Sequence, residues 1–312
     1  MKSMDIPLLR QAILCQKRPF PILRVLVLIS VCTLVSDAAL AQGDTSDVLS
    51  DSLVFDPAQS SDKIIVDGNL MLKSKVIYRG LVPSTGPAIV GNFGAMYKNL
   101  VFYFYGGAGF TSKYPAQTGN YQETDLNLFY HRPKWGMGFN YFYNFTNGIT
   151  TVPETSGIFD FDPETARAVL DFIFRVRLGR DNQWQFMSST YVWGPRDSVG
   201  AETIDEEGNP VPIHGDQRHS QYVEMLRSWK IGEHNKIKAV VGGSWAWTSD
   251  DDSTFYGDKP GINNIELNGI RYFEVTENFT IPVKASAVYN PLSDSMYVYF
   301  SIEFIHNTKI GL

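Results

Sequence analysis

The chain has 312 residues, a formal net charge of −6 and 13% aromatic residues, among them 16 tyrosines and 20 phenylalanines. The acidic balance argues against a nucleic-acid partner, because such partners bind basic surfaces. Both cysteines, Cys15 and Cys32, precede residue 42. The rest of the chain therefore has no disulfide, thiolate nucleophile or cysteine metal site.

The first 41 residues have the pattern of a secretory signal peptide. Five basic residues precede an uncharged apolar run from Val25 to Val35, and Ala39-Leu40-Ala41 stands before Gln42. A basic segment, a short apolar core and an Ala-x-Ala site are typical of a signal peptide. A membrane helix needs about 20 apolar residues, so a signal anchor is the weaker alternative. We predict cleavage near Ala41, followed by an acidic periplasmic linker over residues 42–62.

After the linker, twelve segments alternate apolar and polar residues with the period of two that β-strands require. They run over 66–79, 87–97, 99–110, 120–131, 134–146, 164–178, 183–193, 217–230, 235–248, 262–275, 278–290 and 294–306. Tight turns alternate with longer connections along this series, which is typical of short periplasmic turns and longer external loops. A soluble β-sandwich would also alternate, but it has no reason to alternate its loop lengths in this way.

All six tryptophans lie at the ends of the predicted strands. Those beside the tight turns are Trp135, Trp184 and Trp229, and those near the long connections are Trp193, Trp245 and Trp247. Indole collects at membrane interfaces, so the two sets predict two interface girdles. We therefore predict an all-β fold, a transmembrane antiparallel up-and-down β-barrel of about 12 strands over residues 63–312. It is expected in the bacterial outer membrane, in contact with the lipid bilayer and lipopolysaccharide, after folding by the barrel-assembly machinery.

The polar faces of the strands are predicted to line the lumen, because Arg or Lys against mid-membrane lipid costs about 2–4 kcal/mol. The ionisable candidates for a selective pore wall are Lys73, Lys75, Arg79, Glu123, Asp125, Arg167, Asp171, Arg175, Arg177, Glu224, Lys236, Lys238, Glu266, Lys284 and Glu303. The three arginines of the sixth segment are expected to form a positive wall facing the two acids of the fourth. The alternative is a salt-bridged network that fills the lumen, since twelve strands lie between filled and open barrels.

Two segments resemble a known family. Segment 74–88, Ser-Lys-Val-Ile-Tyr-Arg-Gly-Leu-Val-Pro-Ser-Thr-Gly-Pro-Ala, resembles the first hairpin of the TorF-type porins, and segment 121–130 is similar to that family's Glu-x-Asp-Leu strand. The resemblance covers about residues 69–146. It implies an outer-membrane channel of poorly defined substrate in which Arg79, Glu123 and Asp125 have roles. The C-terminus departs from the usual aromatic end of a barrel, because further residues follow Phe304.

We predict a porin-like channel for passive passage of small polar solutes or ions, with no cofactor and no metal. The alternatives are a non-conducting barrel that acts as a scaffold or adhesin, and a barrel enzyme. His219 and Ser220 are adjacent, so their side chains point to opposite faces of a strand, and no Gly-x-Ser-x-Gly motif or metal-spaced histidine cluster occurs. The run Asp250–Asp252 could bind a cation, but such runs are more often solvated loops.

Overall fold

The computed structural model describes residues 62–111, 120–146, 157–179, 182–249, 252–276, 279–305 and 310–311. The predicted signal peptide and nearly all of the predicted linker lie outside these residues, as do Asp250 and Asp251. No helix in the described part of the chain is long and apolar enough to cross a membrane.

Seventeen strands follow one another along the described chain. They are β1 (Ile65–Lys73), β2 (Val76–Tyr78), β3 (Leu81–Ser84), β4 (Ala88–Tyr97), β5 (Leu100–Gly109), β6 (Gln122–His131), β7 (Trp135–Asn144), β8 (Ala168–Leu178), β9 (Trp184–Trp193), β10 (Ser198–Ile204), β11 (Pro210–Gln217), β12 (Ser220–Ile231), β13 (Asn235–Ala246), β14 (Gly261–Thr276), β15 (Phe279–Asn290), β16 (Ser295–Ile305) and β17 (Ile310–Gly311). A short 3-10 helix, Pro195–Asp197, joins β9 to β10.

Twelve of these strands close into an antiparallel barrel. The order around it is β1, β4, β5, β6, β7, β8, β9, β12, β13, β14, β15 and β16, and β16 pairs with β1 to complete the circle. The short β17 adds to the end of β1. This arrangement confirms the predicted all-β up-and-down barrel of twelve strands.

The barrel has an apolar outer surface and a polar inner one. On β16, Val298 and Phe300 point outward and are more than half exposed, whereas Tyr299 and Ser301 point inward and are buried. On β8, Asp171 and other inward side chains are buried in the same alternating way. Large apolar side chains exposed along a closed sheet fit hydrocarbon rather than water. The outer surface is therefore that of a transmembrane barrel.

The predicted first strand, 66–79, is wrong in its second half. The barrel strand β1 ends at Lys73, and residues 76–84 form a separate hairpin, β2–β3, in which Tyr78 pairs with Leu81. Arg79 and Gly80 both have positive φ, at 49° and 81°. A two-residue loop with both φ values positive is the turn that best matches the twist of a β-hairpin. The predicted connection over 81–86 is therefore largely the second strand of this hairpin.

The predicted long connection over 194–216 also has regular structure. It contains the 3-10 helix and a second hairpin, β10–β11, whose strands pair from Ser198 with Gln217 to Ile204 with Pro210. Apolar and polar residues alternate less clearly in this segment than in the barrel strands, and the hairpin forms a sheet separate from the barrel. The period-two pattern that located the barrel strands therefore gives no signal here.

Candidate functional site

The β2–β3 hairpin reaches across the barrel lumen. At its tip, the carbonyl oxygen of Arg79 accepts a hydrogen bond from Asn263 Nδ2 (2.8 Å), and that of Gly80 accepts one from Asn290 Nδ2 (3.2 Å). These bonds tie the tip to β14 and β15. The Arg79 side chain instead contacts β8, which lies on another side of the barrel. The hairpin thus touches parts of the wall that are four to five strands apart and divides the lumen.

Arg79 is the most strongly bound residue of this hairpin. Its Nη2 lies 3.1 Å from Asp171 Oδ2, and its Nη1 donates to Ser189 Oγ and Tyr256 OH at 2.6 Å each. The guanidinium carbon also lies 5.0 Å from the ring centroid of Tyr222. Asp171 is fully buried, and Ser189 donates a second hydrogen bond to it. A buried ion pair with this many additional bonds holds one geometry, because separating its charges leaves each uncompensated.

Gly80 is required at the hairpin tip for steric reasons. A Cβ atom at this position would lie 1.9 Å from the carbonyl oxygen of Asn263, which is much shorter than any contact between such atoms. Its φ of 81° adds strain for any side chain. The Arg79-Gly80 sequence therefore fixes both the turn and its close approach to β14.

A second segment folds inward from the connection between β13 and β14. Tyr256 stacks on Tyr191 with a centroid distance of 6.0 Å, and its ring lies 5.3 Å from that of Tyr222. The backbone N–H of Phe255 donates to Ser220 Oγ (2.8 Å), which ties this segment to the start of β12. Tyr256 is 2% exposed, so it belongs to the interior of the barrel. The hairpin and this segment together narrow the lumen.

Two cavities in the narrowed lumen are lined by residues of the described chain. An outer vestibule of about 540 Å³ is lined by external residues such as Arg196, His214 and Arg218. An inner cavity of about 210 Å³ lies among β1, β5–β9 and β12–β15. Both cavities are lined by Tyr78, Pro83, Glu123 and Phe142. They therefore meet at the hairpin, which separates them along the barrel axis.

Charges of both signs line the inner cavity. The acids are Glu123, Asp125, Glu224 and Glu266, and the bases, apart from Arg79, are Lys73, Arg175, Lys238 and Lys284. Arg79 is paired with Asp171, so the remaining charges balance formally. A cavity lined in this way holds both signs of charge and gives little net preference to either simple anions or simple cations.

Several buried polar atoms around the inner cavity lack a hydrogen-bond partner within the described part of the protein. They are Asp125 Oδ1, both amide atoms of Asn127, Asn140 Oδ1, Asn264 Oδ1, and Arg175 Nε and Nη1. Farther down the lumen, His131 Nε2 and both amide atoms of Gln185 share this property. A buried polar group without a partner costs about 1–3 kcal/mol. These atoms therefore favour contact with water or a polar solute.

The structure separates residues that the sequence placed together. Arg167 lines the outer vestibule and donates to the carbonyl oxygen of Phe145 (3.2 Å), whereas Arg175 lines the inner cavity. Eight residues along a strand span roughly 26 Å. The three arginines are therefore spread along the strand, with Arg175 and Arg177 inside the barrel at 5% exposed each, and the positive wall that they were expected to form stays a prediction.

Two other candidates lie away from the cavities. Lys75 follows the end of β1, and its Nζ donates to the carbonyl oxygen of Thr85 (3.1 Å) at the base of the hairpin. Its expected place on a barrel strand is therefore wrong. Glu303 lies on β16 opposite Met71 and is not among the lining residues of either cavity. The inward positions of Lys236 and Lys238 on β13 are separated by one residue, and Lys238 lines the inner cavity.

The sequence missed the uncharged residues that complete the site. Asn127 and Asn140 are direct cross-strand partners on β6 and β7, and both line the inner cavity. Their alternation with outward apolar residues was the available signal, but a search for ionisable groups passes over amides. Ser189 and Tyr256 bind Arg79 through contacts that join distant parts of the chain, so no local pattern indicates them.

The tryptophans lie at or near the strand ends. Trp184 and Trp229 flank Arg227, whose guanidinium carbon is 4.9 Å from each ring centroid. Trp245 and Trp247 lie 5.7 Å apart at the external end of β13. The other two, Trp135 and Trp193, begin β7 and end β9. Whether these rings meet the two membrane interfaces stays a prediction.

One acid outside the barrel strands has a strongly shifted pKa. Burial of Asp197, in the 3-10 helix before β10, raises the pKa of its carboxyl to about 6. The hydrogen bond that Oδ2 accepts from the backbone N–H of Ser220 (2.9 Å) opposes this rise, as does the nearby charge of Arg218. Asp197 thus couples the external hairpin β10–β11 to the start of β12.

These features define a transmembrane β-barrel whose polar lumen is divided by an inserted hairpin. No model of a known protein family matches the chain, and no curated protein sequence matches it. Solved structures of outer-membrane proteins do show a similar barrel. An outer-membrane channel from Pseudomonas putida F1 has 10% identity and a TM-score of 0.40, and the match covers 80% of this chain and 98% of that one.

Two further channels are similar in the same way. A FadL homologue from Pseudomonas aeruginosa has 10% identity and a TM-score of 0.34, covering 85% of this chain and 94% of that one. The CymD monoaromatic hydrocarbon channel has 8% identity and a TM-score of 0.34, covering 85% and 93%. TM-scores below 0.5 support no conclusion about this chain, and the solutes of those proteins are not transferred to it. The TorF-type assignment stays a prediction.

Proposed function

We propose that the protein is an outer-membrane channel for small polar solutes, in which the β2–β3 hairpin controls the width of the path. The observation that carries the proposal is the series of buried polar atoms without protein partners in the lumen, from Asp125 and Asn127 to His131 and Gln185. A structural filling would leave such atoms paired, because each unpaired one costs free energy. Hydration or passing solutes offset that cost in a channel.

The charge distribution supports polar rather than apolar solutes. The inner cavity has acids and bases on its wall, and an apolar solute would have to strip water from them without replacing its hydrogen bonds. The outer surface supports the membrane location, since its exposed apolar side chains alternate with the buried polar ones. A sealed scaffold is the competing function. It has the same exterior but would show no conduction.

Planar-bilayer recording of the refolded protein tests the proposal. Wild type is expected to show small or infrequent openings, because the hairpin crosses the lumen. A variant in which a short Gly-Ser linker replaces residues 75–87 is expected to show larger and more frequent openings. The matched control shortens the external hairpin β10–β11 between Thr203 and Val211, which changes an external loop without removing the divider.

The proposal requires that deletion of the β2–β3 hairpin raises conductance more than shortening of the β10–β11 hairpin. If the variant without the β2–β3 hairpin and the wild type are both silent, although both migrate as folded barrels on unheated gels, the channel function is wrong. If the two loop deletions raise conductance equally, the hairpin has no special role in the path.

A further inference from the structure

We infer that the inner cavity is a binding site for small zwitterions of the α-amino-acid class. In this site the ammonium group lies against the carboxylate and amide oxygens of β6 and β7, and the carboxylate faces the lysines of β1, β13 and β15. The inference rests on the proposed channel function and names the solute class for the same lumen.

The ammonium end is assigned to a patch of oxygen atoms on one wall, the amide–carboxylate patch of Asp125, Asn127 and Asn140. Asp125 Oδ1, Asn127 Oδ1 and Asn140 Oδ1 have no hydrogen-bond partner within the described chain. Asp125 and Asn127 are 3% and 1% exposed, and all three residues line the inner cavity. An ammonium group has three donors and no acceptor, which matches three acceptors and one carboxylate charge.

The surroundings of the patch also suit a cation. Tyr105 pairs across the sheet with Asp125, and Tyr103 pairs with Asn127, so tyrosine side chains flank the patch on β5. Both tyrosines line the same cavity. Tyrosine ring faces attract cations. Glu123 lies two residues before Asp125 on the same inward face and adds a second acid to this wall.

The rest of the cavity wall has three lysines, together with the acids Glu224 and Glu266. Lys73 on β1 and Lys284 on β15 both pair with Ser301 of β16, so they flank one position from either side. Both lysines are under 10% exposed and line the inner cavity, as does Lys238. In the circular strand order, β15 lies six strands from β7, halfway around the barrel. Lys284 therefore faces the amide–carboxylate patch across the lumen, whereas Lys73 on β1 lies three strands from β6 and Lys238 on β13 lies four strands from β7.

The size of the cavity limits the solute. A volume of about 210 Å³ accommodates a compact amino acid and excludes a long apolar chain. A neutral polyol would satisfy some of the patch atoms, but it would leave the Asp125 charge without a cationic partner. A simple metal cation would satisfy the patch and gain nothing from the lysine wall. The zwitterion is the solute class that uses both walls.

Calorimetric titration of the detergent-solubilised full-length barrel tests the inference with three probes: L-alanine, L-alanine amide and N-acetyl-L-alanine. L-Alanine has both charged ends, whereas each of the others lacks one. Wild type is expected to bind L-alanine more tightly than either analogue. Asp125→Asn is expected to weaken L-alanine and L-alanine amide binding roughly tenfold, the loss of one charge-assisted hydrogen bond, and to leave N-acetyl-L-alanine unchanged.

Two further variants complete the test. Asn127→Asp, which adds a carboxylate to the same patch, is expected to tighten binding of L-alanine amide. The control Glu303→Gln removes an inward acid that lines neither cavity, and it should leave all three affinities unchanged. Equal binding of the three probes, or no response to both Asp125→Asn and Asn127→Asp in folded protein, would overturn the zwitterion site.

Permeation separates this inference from the channel function. The rate of liposome swelling in erythritol reports whether the lumen lets a polar solute pass. The rate of swelling in L-alanine reports this as well as the effect of the zwitterion site on passage. If erythritol enters and L-alanine neither binds nor enters faster, the channel stands and the zwitterion site is wrong. If neither solute enters and conduction is absent, the channel function itself is wrong.

Discussion

The ion pair between Arg79 and Asp171 should determine how often the β2–β3 hairpin leaves the lumen. Replacing Arg79 with Met removes the 3.1 Å ion pair and two hydrogen bonds, and it leaves a fully buried carboxylate with Ser189 as its donor. Breaking a buried pair on one side costs about 3–5 kcal/mol. If that cost falls on the inserted state, the population with the hairpin released rises by a factor of roughly 10² to 4 × 10³.

A single cysteine reports this release. Wild type has no cysteine after residue 41, so Ile77→Cys introduces one reactive thiol at the wall of the inner cavity. External maleimide should label it slowly in the wild-type background and much faster with Arg79→Met. The double variant Arg79→Met/Asp171→Asn should label at an intermediate rate, because no uncompensated charge stays buried.

The control and the refuting result are both specific. Arg132→Met removes an exposed arginine from a short turn, where its guanidinium lies 5.5 Å from the Tyr130 ring, and it should not change the labelling rate. Equal labelling in wild type, Arg79→Met and the double variant would show that the ion pair does not hold the hairpin. Faster labelling in the double variant than in Arg79→Met would show that the two charges do not stabilise each other.

Four further predictions follow from other parts of the molecule. Phe300→Arg should block barrel assembly in lipid vesicles, because an arginine at mid-membrane costs about 2–4 kcal/mol. The control Phe300→Leu should assemble normally. Equal assembly of the two variants would show that this residue does not face lipid. Gly80→Ala should release the hairpin and raise conductance, because its Cβ would lie 1.9 Å from a backbone oxygen of β14. In the control Gly232→Ala the residue also has a positive φ, but its Cβ would contact no atom within 4 Å, so conductance should not change. The pKa of Asp197 is about 6 in the folded protein, against about 3.9 for an exposed aspartate, so its contribution to stability is complete below pH 4 and is lost as the pH rises through 6. The melting temperature of Asp197→Asn should therefore depend less on pH over this range than that of wild type. An unchanged pH dependence would contradict the assignment. Mass spectrometry of the membrane-extracted protein should give an N-terminus at or near Gln42, and an intact first residue would indicate a signal anchor.

The barrel could be predicted from the sequence because its physical cause is local. A strand between lipid and a polar lumen must alternate at every second residue, so the pattern on β8 or β16 is complete within about ten residues. The alternation of tight and long connections predicts which ends of the strands face outward. Twelve strands and the inward positions of residues such as Asp125 and Asp171 therefore follow from the chain alone.

The lumen could not be predicted to the same extent. In the sequence, the alternation of β1 continues through Val76 and Tyr78, because a hairpin strand in the lumen also alternates. The turn signal at Arg79-Gly80 was present, but nothing local shows that the hairpin folds inward. Arg79 and Asp171 are 92 residues apart, and their contact depends on the closure of the barrel. Side-chain contacts that form only when the barrel closes leave no pattern in a short stretch of sequence.

The position of the proposed binding site follows from how the hairpin is held. Twelve strands enclose more space than their own inward side chains fill, so the chain supplies the hairpin and the Tyr256 segment. The hairpin's polar contacts are made to β8 and β9 on one side and to β14 and β15 on another. Towards β7 it presents the ring of Tyr78, packed edge to face on Phe142 at 5.3 Å. The aromatic contact is the weakest of the three, and the amide–carboxylate patch lies beside it on β6 and β7. A solute bound at the patch therefore lies next to the weakest of the three contacts that hold the hairpin. We expect solute binding there to favour release of the hairpin from β7.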